Sequence, residues 1–161
     1  MPLPISGDPV LTKKCREVRE MTPRISELID DMLETMYDGN GVGLAAPQVG
    51  VLKRIAVIDV SGTGEEQIVL INPVVKETEG EQTGEEGCLS LPGKAGQVTR
   101  PNHVVVEALD RDMQPRTIVG EELLARALMH EIDHLDGHMY MELVEGSLHD
   151  VQYEEEEEEE E

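Results

Sequence analysis

Two segments with helical apolar periodicity stand toward opposite ends of this 161-residue chain, and only β-like runs lie between them. In the first, Ile25, Leu28, Ile29, Met32 and Met36 recur at spacings of three and four and mark one face of a helix. Thr22 suits its N-cap and Pro23 its first position, where a missing N–H costs nothing; Gly39 is the stop. The second helix is predicted to begin near Gly120, to carry Leu124, Ala127, Leu128 and Leu135 on one face, and to end at Gly137. The runs Arg54–Val60, Gln67–Val75 (broken at Pro73), His103–Leu109 and Arg116–Val119 read as strands with Gly, Asn and Asp clustered between them. Residues 39–50 read as a Gly-rich loop. An order of helix, strands, helix is not the alternation of βαβ units, and it predicts an α+β fold with antiparallel or mixed sheets.

The chain has no Phe and no Trp, so its core must come from Leu, Val, Ile, Ala and Met. With a formal net charge of −22, recognition of nucleic acid by aromatic stacking on a basic face is excluded. No apolar run approaches the roughly 18 residues of a membrane-spanning helix. Two cysteines, Cys15 and Cys88, are too few for a disulfide framework, and the first residues lack the pattern of a secretion signal. A soluble, cytoplasmic protein is expected. Residues 1–150 read as one catalytic domain, and 151–161, with the run Glu154–Glu161, as a solvated acidic low-complexity tail.

The sharpest chemical signal is His130-Glu131-Ile132-Asp133-His134. On a helix, positions i and i+4 share a face, so two imidazoles can converge on one cation. Glu131 can then reach a water there as a general base. Leu128, Ile132 and Leu135 bracket the string and imply partial burial rather than an exposed polar turn. A catalytic centre needs a third protein ligand and an open position. The downstream position used by one protease class is Tyr140 here, and His138 is out of register, which disfavours an endopeptidase. The better candidate lies upstream in Glu86-Gly-Cys88-Leu-Ser90, where a thiolate would complete a Cys-His-His set suited to Fe²⁺ or Zn²⁺. Cys15, with no motif around it, reads as a small buried hydrophobe.

Gly41-Val-Gly43-Leu-Ala-Ala46 matches a dinucleotide fingerprint by letters only. That fingerprint follows a strand and opens a helix; this one follows a helix and runs into Pro47. The alternatives are a plain connection and a close-approach loop in which Gln48 presents an amide to a developing oxyanion. A non-catalytic metal- or partner-binding module is the competing class, supported by the acidic surface alone.

The three blocks Gly41–Gln48, Glu86–Ser90 and His130–Gly137, in this order, resemble the bacterial peptide deformylases, and the likeness extends through Asp8-Pro-Val-Leu11 to cover about residues 3–145. The resemblance implies mixed or antiparallel sheets packed around a central C-terminal helix that carries the HExxH string. It implies a metal-dependent hydrolase that removes the N-formyl group from the N-terminal methionine of nascent polypeptides and releases formate. It implies Fe²⁺, one per chain, with Zn²⁺, Ni²⁺ or Co²⁺ able to substitute, on Cys88, His130 and His134. Glu131 becomes the catalytic carboxylate, with Gln48 and the Leu89 N–H flanking the formyl oxygen. Gly43 and Gly87 would offer backbone contacts to the substrate, and Val42, Leu123 and Ala127 a slot for the methionine side chain. Arg100 would be the basic partner behind the site. Partners would be formyl-methionyl nascent peptides and, transiently, the ribosome. No membrane is implied, and the acidic end of the chain disfavours direct nucleic-acid binding.

Overall fold

The structure, a computed structural model, describes residues 8–150. The expectations for the first seven residues and for the tail at 151–161 lie outside this range. The first helix, α1 (Pro23–Asp38), begins where its cap demands: the Thr22 hydroxyl accepts from the Ile25 N–H at 3.2 Å, a bond worth about 1 kcal/mol. Its apolar face buries Ile25, Ile29, Met32, Leu33 and Met36.

Strands β1 (Gly43–Ala45), β2 (Ile55–Ile58), β3 (Ile68–Glu79), β6 (His103–Leu109) and β7 (Pro115–Glu121) form one sheet in the order β1-β2-β3-β6-β7. Strands β4 (Gln82–Cys88), β5 (Leu91–Arg100) and β8 (Glu145–Asp150) form a second, ordered β4-β5-β8. Every strand pairing is antiparallel. The second helix, α2 (Leu123–Leu135), packs against strands of both sheets.

β2 shows why the fold is layered this way. Its four residues are all buried, and its side chains alternate between two cores. Ile55 and Val57 join the face of α1 together with Leu44 and Ile71. Ala56 and Ile58 join Leu70, Val104, Val106 and Ile118 under Ala125, Leu128, Ile132 and Leu135 of α2. A helix on each side of one strand holds α2 central, as the sequence implies.

Several boundaries differ from the sequence reading. The run at Gln67–Val75 does not break at Pro73; β3 continues to Glu79 through a register shift between Ile71 and Val74. Asn72 adopts φ +53° there, and its amide exchanges 2.8 Å hydrogen bonds with the backbone N–H and C=O of Val18. At a bulge, the missing N–H of proline costs no ladder bond. The 39–50 loop contains β1 and a 3-10 turn at Ala46–Val49. Gly120 lies in β7, paired with Val104, and the helix starts at Leu123; a side chain at Gly120 would strike Leu128 and Leu124 of α2, so glycine lets the strand pass close to the helix. β4, β5 and β8 carry too much Gly and Glu to show strand periodicity, and they form through pairing rather than propensity.

A buried carboxylate ties the end of β2 to α1. Asp59 accepts from the Tyr37 hydroxyl at 2.6 Å, from the N–H groups of Ser61, Gly62 and Gly64, and from the Ser61 hydroxyl. Burial works to raise its carboxyl, but these donors outweigh burial and hold it at about 2. The folded value lies below the unfolded one, so this stabilisation is present above about pH 4 and is lost as pH falls toward 2. Asp59→Asn is expected to show a flatter decline in urea midpoint over that window than the wild type. Parallel curves would contradict the assignment.

Candidate metal centre

The site is built where α2 meets β4. His130 and His134 sit one turn apart on the buried face of α2, with ring centroids 5.0 Å apart. Cys88 ends β4, where a register shift between Glu86 and Cys88 re-aims the side chain off the ladder. One donor atom from each of Cys88, His130 and His134 lies within 4.8 Å of the others, and the Cys88 Sγ stands 3.3 Å from His134 Nε2. Ordinary metal–sulfur and metal–nitrogen bonds at tetrahedral angles place such donors about 3.5 Å apart, so the set fits a single cation. Tyr140 and His138, the positions weighed for an endopeptidase ligand, lie elsewhere. Tyr140 stacks on His130 and donates to the Lys94 carbonyl, and His138 is exposed beside Glu142.

Glu86 organises the centre from behind. The Nδ1–H of His130 donates to its Oε1 at 2.8 Å, which leaves Nε2 for a cation. Arg100 donates from Nε and Nη2 at 2.7 and 2.9 Å, and Arg126 from Nη1 at 2.7 Å. Burial works to raise Glu86, yet these donors hold it down at about 2. Arg100 also reaches Asp133 at 2.7 Å, so the basic partner expected behind the site joins β4, β5 and α2. Burial and the charge of His130 push His134 down to about 3. Burial also lowers His130, but hydrogen bonds to Cys88 and Glu86 lift it to about 10. Protons and a cation compete for these donors, so affinity falls in acid.

Glu131 faces the other way. Burial pushes its carboxyl up to about 7, and Oε1 has no hydrogen-bond partner among the described residues. A buried acceptor left alone in a polar site marks a place for a ligand or water. Its Oε2 lies against Gly43: a β-carbon there would stand 2.5 Å away. Gly43→Ala is therefore expected to displace the carboxylate. A loss of about 10²-fold in kcat/KM with unchanged metal content is the expected result, since an ångström of misplacement costs that much. Wild-type kinetics would contradict it.

Gln48, fully buried, is locked at both ends of its amide. Its Oε1 accepts from the Ala45 N–H at 3.0 Å, and Nε2 donates to Ser90 Oγ at 3.1 Å with Cys88 Sγ at 3.3 Å. An open cleft of about 470 Å³ leads to these groups, lined by Val42, Gly43, Gln48, Gly87, Leu89, Leu123, Ala127, His130 and Glu131. Of the residues expected to bind metal or substrate or to carry the chemistry, all but His134 line the cleft or its floor; His134 lies beneath it, fully buried, and Arg100 stands behind it. Sequence reasoning gave no role to Glu86, Ser90 or Arg126. The available signal for Arg126 was its position four residues before His130, which turns both side chains to one partner.

A thiol and two imidazoles beside a buried carboxylate, at the floor of an open cleft in an α+β fold, form the architecture of a metal-dependent hydrolase. The profile of the family described as polypeptide deformylase matches residues 2–148. The chain is 68% identical over 150 residues to a peptide deformylase of Agathobacter rectalis, covering 93% of each chain. It is 65% identical over 156 residues to one of Lachnoclostridium phytofermentans, covering 96% of each. Its fold superposes on the crystal structure of a peptide deformylase from Legionella pneumophila with a TM-score of 0.87 at 45% identity, covering 89% of this chain and 85% of that one. For the Synechococcus elongatus peptide deformylase, solved with actinonin, the TM-score is 0.88 at 40% identity, covering 91% and 81%. The chain belongs to the peptide deformylase family. It is an enzyme that removes the N-formyl group from the terminal methionine of newly made polypeptides, with release of formate.

Proposed function

We propose that Cys88, His130 and His134 hold one Fe²⁺ per chain, replaceable by Zn²⁺, Ni²⁺ or Co²⁺, and that Glu131, Gln48 and Leu89 carry the chemistry. The observation that most supports this is the convergence of the three donor atoms within 4.8 Å beside the unpartnered Oε1 of Glu131. A thiolate with two imidazoles favours these softer cations over Ca²⁺ or Mg²⁺. When bound, the metal supplies Lewis acidity and water acidified toward neutral pH.

The residues of the chain do the rest. Glu131, raised to about 7, sits near the pH at which a carboxylate can both take a proton and give it back to the departing amine. One Gln48 Nε2–H, which faces the Cys88 sulfur in this structure while the other is held by Ser90, would turn to the formyl oxygen and with the Leu89 N–H meet negative charge as it develops there, an effect worth about 3–4 kcal/mol per donor. Gly43 and Gly87 let the substrate backbone approach closely. Val42 and Leu123, both exposed at the rim, and buried Ala127 line the slot for the methionine side chain. A formyl group carries only hydrogen on its carbonyl carbon, so a tight pocket near Leu44, Gln48 and Glu131 would reject an acetyl group by size alone.

Residues 1–150 form the catalytic unit in this reading, and 151–161 an acidic appendage. The enzyme meets its substrates in the cytoplasm, in transient contact with the ribosome; its acidity disfavours RNA as the docking surface. No helix among the described residues is long and apolar enough to cross a membrane.

The test is formate release from formyl-Met-Ala-Ser by protein loaded anaerobically with Fe²⁺, with acetyl-Met-Ala-Ser as control. Turnover of the formyl peptide alone is expected, decaying in air with iron and persisting with Ni²⁺, because iron redox chemistry exposes Cys88 to oxidation. Equal air stability of the two forms would overturn iron as the native ion, and equal turnover of both peptides the small formyl slot.

A further inference from the structure

Gly39 and Gly41 are glycines that the backbone does not require. Neither has a positive φ, unlike Gly50 or Gly137, and Gly39 sits at −91° as the C-cap of α1. What a side chain at either position would crowd is Leu89. A β-carbon at Gly39 would lie 3.0 and 3.1 Å from the two methyl carbons of Leu89, and one at Gly41 would lie 3.2 Å from Cδ1. The two glycines are themselves fixed to the end of α1: the Gly39 N–H donates to Thr35 O at 3.1 Å, and the Gly41 N–H to Met36 O at 2.9 Å. Leu89 also packs against the α1 core that contains Leu33 and Met36.

Leu89 and Ser90 form the two-residue turn between Cys88 and Leu91, which pair across β4 and β5, so the Leu89 N–H stands outside the ladder. No neighbouring strand aims that N–H; the turn is anchored on one side by the Gln48–Ser90 hydrogen bond and on the other by the Leu89 side chain. We propose that the Gly39–Gly41 seat is a positioning device, which grips the Leu89 side chain and so fixes the Leu89 N–H relative to Gln48 and Cys88. The proposal rests on the reading of that N–H as a donor to the formyl oxygen. It assigns a task to Gly39 and to the Leu89 side chain, neither of which touches the reacting atoms.

A backbone N–H survives any substitution at Leu89 except proline, which makes the test clean. In the metal-loaded enzyme, Leu89→Ala is expected to lower kcat about ten- to a hundredfold, with KM and metal content little changed, and Leu89→Met to restore most of the loss. Gly39→Ala, which crowds the Leu89 methyls and forces the side chain to shift in its seat, is expected to lower kcat in the wild-type background and to cost almost nothing in Leu89→Ala. Two residues that act through one contact are not additive. A wall that merely shapes the cleft would instead raise KM and give additive losses. Wild-type kcat in Leu89→Ala, or an equal cost of Gly39→Ala in both backgrounds, overturns the proposal. Amide hydrogen exchange gives an arm independent of turnover: exchange at Leu89 and Ser90 is expected to quicken in Gly39→Ala and Leu89→Ala. Unchanged exchange overturns the seat, whereas quickened exchange with normal kcat places the failure in the donor role of the Leu89 N–H.

Discussion

Glu131→Gln is expected to fold and to keep its metal, yet to lose about 10³-fold in kcat for formate release. The amide matches the carboxyl in shape, so its fit against the Gly43 backbone survives. What disappears is the ability to accept a proton. Burial raises the wild-type carboxyl, which favours proton exchange with a reacting group, and Gln cannot take up or return that proton. Kinetics with elemental analysis on the same sample separate the outcomes. Full activity removes Glu131 from the chemistry; loss of metal along with activity makes it a structural residue.

Cys88→Ala is expected to have an effect as large by a different route. It removes the thiolate and leaves two imidazoles with one open side, so metal content is expected to fall from about one ion per chain to a small fraction, with turnover at background. The fold should persist, because Glu86 still binds Arg100, Arg126 and His130 and so still joins β4 to β5 and α2. Circular dichroism and metal content together check this. A folded, fully metallated Cys88→Ala protein would show that the thiolate is dispensable.

The helices were legible because their periodicity and punctuation agree. Thr22, Pro23 and Gly39 bracket α1, and the apolar spacing of Leu128, Ile132 and Leu135 turns His130 and His134 inward together. β2 and β6 were legible from β-branched runs. The hairpin β4–β5 was not, since its Gly and Glu residues give no alternating pattern and it is held by pairing and by a buried charge cluster. Glu86 illustrates the difficulty. In the string Glu85-Glu86-Gly87 the two acids look alike, but one is exposed while the other is buried under four charge-assisted hydrogen bonds. Its partners come from residues 100, 126 and 130, distances that no local reading spans. The bulge at Asn72–Pro73 was hidden for a similar reason, because its compensation is supplied by Val18, some fifty residues earlier.

The central claim concerns one sulfur and two ring nitrogens around one ion. X-ray absorption at the metal edge of the anaerobically iron- or zinc-loaded enzyme tests it most directly. A shell of one sulfur at about 2.3 Å with two nitrogens near 2.0–2.1 Å is the predicted result. A shell of nitrogen and oxygen alone, with no sulfur, would contradict it.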